Sequence, residues 1–187
     1  MSTSEKTDQF LEKEFPGSTT SIYRDLSLNF KKLLEDSSLD ATERGMNLLA
    51  IACTLENKPM MALAKNILEE LNIPAEQIRE CAEIAGIMGM NNVYYKFKSY
   101  LPAEVKENYS RAGLRMQSLM KAQAGKQNFE MMSMSVSIVN GCPQCIVSHE
   151  KALIDLGVSA DKIHDLARLA AVSKGLNSLK TAVDFLN

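Results

Sequence analysis

Residues 156–163 read LGVSADKI, and 85 residues earlier residues 71–78 read LNIPAEQI. At the same offset Ala82, Ala85 and Asn92 fall on Ala167, Ala170 and Asn177, and at an offset of 87 Glu43 falls on Glu130. Self-similarity at a fixed spacing, carried by segments of helical character, predicts one helical unit used twice. The expected fold is all-α with no β-sheet, a single domain over 1–187. Its first copy spans about 39–100 and its second about 126–187.

Working outward from that match, nearly every segment carries helical periodicity, and neither strand alternation nor an Asn-Gly hairpin signal occurs. The start of the chain, to Phe15, reads as a weak helix or a tail stopped by Pro16 and Gly17. Residues 22–34 place apolar side chains at 22, 26, 30, 33 and 34, one stripe of an amphipathic helix. Asp40 followed three residues later by Glu43 is a capping-box pattern, with Leu39 before it as a hydrophobic staple. Pro59 and Pro74 open the next two helices, and Gly86 and Gly89 mark close packing or a break. A separate helix is expected over 91–100. After Pro102 a long charged helix is expected to link the two halves to about Ala122, with Gly125 ending it.

A chain of 187 residues can bury a sizeable core. Its 45% hydrophobic and 24% charged residues are ordinary for a globular protein, and a net charge of −2 gives no electrostatic case for nucleic acid or an anionic membrane. No apolar run approaches the ~20 residues that cross a bilayer, and the polar first residues carry no secretory core. The expectation is a cytoplasmic protein. Four cysteines in a reducing compartment are not a disulfide framework. Cys53 and Cys81 sit on apolar helical patterns and read as inert thiols, whereas Cys142 and Cys145 lie close together in polar surroundings.

That second pair lies in EMMSMSVSIVNGCPQCIVSHE, residues 130–150. Gly141 ends one helix, and Pro143, whose missing N–H is harmless there, enters the first turn of the next. At about 100° per residue, Cys145 lies roughly 60° and His149 roughly 20° around the helix from Cys142. Two thiols and an imidazole thus share one face at a helix N-terminus, where N–H groups and the helix dipole favour a thiolate. His149 is one turn from Cys145, close enough to take its proton. Glu130 reaches the site only if the second helix folds back along the first, and a water-bridged contact with His149 is the expectation. Other readings stay open: zinc held by Cys142, Cys145, His149 and Glu130, or a passive pair with a capping role. Attached haem is excluded because Ile146, not histidine, follows the second cysteine. Met131, Met132 and Met134 read as core rather than copper ligands, and His164 as a surface residue.

Glu130, Cys142, Cys145 and His149 at this spacing resemble the signature of the alkyl hydroperoxidase D (AhpD) family, within the carboxymuconolactone decarboxylase superfamily. The resemblance extends over essentially the whole chain. It implies an all-α fold in symmetric homo-oligomers, usually trimers, with no bound cofactor or metal. It also implies an antioxidant peroxidase that reduces organic hydroperoxides and regenerates an AhpC-type peroxiredoxin. Electrons would come from a dihydrolipoyl group on a lipoylated 2-oxoacid dehydrogenase component. On the resemblance, Cys145 is the peroxidatic thiol that becomes sulfenic acid and Cys142 the resolving thiol and proton donor. His149 and Glu130 form the proton relay. The family pattern has a histidine just before the second cysteine where this chain has Gln144, which can hydrogen-bond but cannot exchange protons near neutral pH. The alternatives are a lactone decarboxylase-like lyase on the same fold, which has no use for a dithiol, and a zinc-stabilised interaction protein.

Overall fold

The computed structural model describes residues 1–117 and 121–186, and among these there is helix and no strand. The helices are α1 (Thr3–Glu14), α2 (Ser21–Glu35), α3 (Ala41–Thr54), α4 (Lys58–Glu70), α5 (Ala75–Ser99), α6 (Ala103–Lys106), α7 (Lys126–Asn140), α8 (Pro143–Asp155) and α9 (Ala160–Leu186). Their starts follow local chemistry. Ser2 with Glu5 and Asp40 with Glu43 close capping boxes on α1 and α3, and Thr20 and Asn57 accept backbone N–H groups at the heads of α2 and α4.

The core gathers around α3 and α7, which pack on each other. Helix α3 also meets α4, α5 and α9, and α7 meets α5, α8 and α9. Met131, Met132 and Met134 are buried there, as fillers of an irregular interior. A Cβ on Gly45 of α3 would lie 2.8 Å from the Leu68 side chain, so the glycine lets α4 approach closely. Buried Asn47 of α3 accepts from the Ser135 hydroxyl of α7 at 2.9 Å, which satisfies polar groups inside the contact. The stretch expected as a weak helix or tail is α1, whose Phe10 and Leu11 are buried against α2 and α4. On α2 the apolar stripe holds at Phe30, Leu33 and Leu34, while Ile22 is exposed.

Three element boundaries differ from the periodicity reading. Helix α5 runs unbroken through Gly86 and Gly89 to Ser99, so residues 91–99 are its last turns and not a separate helix. A Cβ at either glycine would meet nothing within 4 Å, so neither marks close packing within the chain. The link between halves is a single turn of α6 and a 3₁₀ turn at Glu107–Tyr109, followed by irregular chain over 110–116. Its side chains are mostly exposed and Gly113 takes a φ of 65°. A helix there would have had no apolar partner to repay its nucleation. The part of that expected helix at 118–120 lies outside the described residues. Gly125, expected to end a helix, instead precedes α7 at φ 82°.

Candidate functional site

Helices α7 and α8 meet at Gly141, whose φ of 64° and ψ of 50° lie in the left-handed region that a Cβ disfavours. Its N–H bonds to the Ile138 carbonyl, and the Cys142 N–H bonds to the Ser137 carbonyl at 3.1 Å, the pairing of a Schellman turn. Replacing Gly141 with alanine is expected to cost about 1–2 kcal/mol from backbone strain. The nearest atom to that Cβ, Lys96 Nζ, is 3.7 Å away, so no clash adds to it. Urea unfolding of Gly141→Ala checks this, and an unshifted midpoint would mean the turn is not held as described.

Cys142 is the N-cap of α8 and Pro143 its first residue. The Cys145 backbone N–H donates to Cys142 Sγ at 3.3 Å, so the helix N-terminus is aimed at that sulfur. Cys142 and Cys145 are joined in a disulfide with their Cα atoms 5.3 Å apart. Their side chains converge, as the helical spacing requires. The same corner occurs at the head of α4, where Asn57 (φ −88°, ψ 91°, against −102° and 95° at Cys142) accepts from the Met60 N–H at 2.9 Å. An asparagine performs this capping role, so capping alone gives no reason for sulfur.

One turn beyond Cys145, His149 Nδ1 lies 2.7 Å from Glu130 Oε2. The contact is direct rather than water-bridged, because α8 folds back along α7. Glu130 stands in the second turn of α7, and both side chains are largely buried. Holding Nδ1 by a carboxylate fixes the ring's orientation and leaves Nε2 for proton transfer. Glu43, matched to Glu130 by the sequence offset, is used otherwise. It closes the α3 capping box and takes Lys162 Nζ at 2.7 Å.

A cavity of about 280 Å³ opens beside Cys145. From α8 it is lined by Gln144, Cys145, Ser148 and His149, and from α5, in the other half of the chain, by Met88, Asn91, Asn92 and Tyr95; Met116 of the irregular link completes it. Cys145 faces this space, whereas Cys142 is wholly buried behind it. Gln144, at the position of the expected histidine, stands on the cavity wall. The α5 residues escaped sequence reasoning. The available signal was Asn91 and Asn92 interrupting a stripe otherwise set by Ile84, Met88 and Tyr95. Asn92 is bound on both sides: its amide donates to Ser137 Oγ and its carbonyl accepts from Asn140, each at 2.9 Å. This ties α5 to the end of α7 just before the thiols.

The other thiols sit apart. Burial pushes the Cys81 thiol up to about 12 and raises that of half-buried Cys53 as well, so neither is disposed to ionise. His164 is exposed on α9. Among the described residues, no three of His, Cys, Asp and Glu converge as a set of metal ligands, and no helix is long and apolar enough to cross a membrane.

Comparison with known proteins adds relatives. The Carboxymuconolactone decarboxylase family model matches residues 110–187. The alkyl hydroperoxide reductase AhpD of Anaeromyxobacter dehalogenans strain 2CP-C is 37% identical over 153 residues, covering 80% of this chain and 79% of that protein. The protein of the same name from Mycobacterium ulcerans strain Agy99 is 32% identical over 163 residues, covering 87% and 90%. That from Mycobacterium tuberculosis strain H37Ra is 32% identical over 165 residues, covering 88% and 91%.

Proposed function

The chain belongs to the alkyl hydroperoxide reductase AhpD family, and from that premise we propose that it is a dithiol peroxidase and disulfide reductase working through Cys142 and Cys145. The observation that carries the reading is the joined pair itself, with its outer sulfur on a cavity shared with an imidazole already paired to a carboxylate.

His149 takes the proton of the Cys145 thiol, and the thiolate attacks the terminal oxygen of an organic hydroperoxide. The O–O bond breaks as the S–O bond forms. The leaving alkoxide takes the proton from His149 and departs as an alcohol, while the sulfur keeps the O–H as sulfenic acid. Cys142 then attacks that sulfur, water leaves, and the disulfide forms. An incoming dithiol reopens it by attack at Cys145, the accessible sulfur. Cys142 leaves as a thiolate favoured by the N–H and helix terminus aimed at it.

The dithiol is a dihydrolipoyl group carried by a 2-oxoacid dehydrogenase component, and a second client is the disulfide of an AhpC-type peroxiredoxin. The enzyme is a cytoplasmic homo-oligomer. Supporting assembly, Gly86, Gly89, Val93, Phe97 and Tyr100 follow one face of α5, where the glycines meet nothing within 4 Å and the three large side chains are exposed.

With dihydrolipoamide as electron source, the protein is expected to consume cumene hydroperoxide catalytically. Consumption no faster than in protein-free buffer would sink the reading. The lyase alternative makes the opposite demand, that a Cys142→Ser/Cys145→Ser double variant still consume a lactone.

A further inference from the structure

Asn91 lies on α5 with 5% of its surface exposed, lines the cavity beside Cys145, and makes no side-chain hydrogen bond among the described residues; its Oδ1 is buried without a partner. A buried amide left unmatched is costly, on the order of 1–3 kcal/mol, and helix packing does not require one here. Helices α5 and α9 occupy like places in the two halves, and Asn91 and Leu176 are each the seventeenth residue of their helix. Leu176 is buried, at 1% exposure. No thiol pair stands at the head of α4, the counterpart of α8, where Asn57 bonds to Asn177 of α9 at 2.9 Å. The helix that walls the dithiol's cavity, α5 of the half without thiols, uses an asparagine, and the matching helix of the half that carries the dithiol, away from that cavity, uses leucine.

We propose that Asn91 is a substrate-binding residue that holds the hydroperoxide's terminal O–H and turns that oxygen toward Cys145. This rests on the peroxidase reading above. Two reactants meet Cys145. A thiol is a weak donor and a weak acceptor, whereas the terminal O–H of a hydroperoxide both donates and accepts at full strength, which matches an amide presenting one group of each kind. The walls around it, Met88, Tyr95 and Met116, give the organic tail apolar surface. The hydrogen bond is needed only while peroxide is bound, which explains why the folded chain leaves the amide unmatched.

The test compares wild type, Asn91→Leu and Asn91→Ala in cumene hydroperoxide turnover and in thermal unfolding. Asn91→Leu copies the residue used at the matching place in α9. It is expected to lose about 10-fold in kcat/KM, since one hydrogen bond is worth about that factor, with its Tm unchanged or raised. Asn91→Ala is expected to show a similar loss of kcat/KM. An asparagine kept for structure predicts the reverse pattern, a lowered Tm in Asn91→Leu, and that result overturns the inference. So does wild-type kcat/KM in either variant. Absence of turnover in the wild-type protein itself would instead bring down the peroxidase reading, and this inference with it.

Discussion

Cys145→Ser is expected to reduce hydroperoxide turnover to the uncatalysed background, a loss of at least ~10³-fold. A serine hydroxyl is scarcely ionised near neutral pH and cannot expand to a sulfenic acid, so both the attack and the intermediate disappear. Cys142→Ser separates the roles of the two sulfurs. It leaves the cavity-facing thiol in place, so one equivalent of peroxide is consumed and the Cys145 sulfenic acid accumulates, open to capture by dimedone and mass spectrometry. The fold is expected to persist in both variants, because Asn57 shows that the capping corner forms without sulfur. Turnover retained in Cys145→Ser, or a dimedone adduct on Cys142 in Cys145→Ser with none on Cys145 in Cys142→Ser, would reverse the assignment.

For the relay, His149→Gln is expected to slow catalysis by about 10²–10⁴-fold, the range for losing a positioned acid or base. Glu130→Gln is expected to cost less, roughly 10–100-fold, because it removes the carboxylate that orients the ring while leaving the imidazole. The double variant should be no slower than His149→Gln, since Glu130 acts only through the histidine. Each rate is best followed as kcat, with the two single variants and the double variant measured side by side. Additive losses in the double variant would mean that Glu130 acts on substrate by another route.

Much of this molecule is legible in its sequence. The capping box at Asp40 and Glu43, Pro143 in the first turn of α8, and Gly141 at the end of α7 all act within a few residues of themselves. The facing of Cys142 and Cys145 follows from the same short range. So does the place of His149, one turn on. Where structure and sequence pattern part, tertiary packing is the reason. Charge and spacing over 103–122 favoured a long helix, yet propensity without a buried face does not sustain one, and the chain between Ser110 and Met116 is irregular. Helix α5 continued through two glycines because each costs only about 1 kcal/mol and the helix packs on α3, α7 and α8.

Read as a string, then, the chain specified its helical class, the cap at Asp40 and the sharing of one helical face by two sulfurs and an imidazole, because those are set by bonds and turns a few residues long. Packing between distant helices settled the rest. It brought Glu130 within 2.7 Å of His149, turned Cys145 rather than Cys142 to the open space, and supplied the opposite wall from α5. Such contacts depend on how helices cross, and crossing angles come from the fit of whole side-chain surfaces that no local pattern encodes.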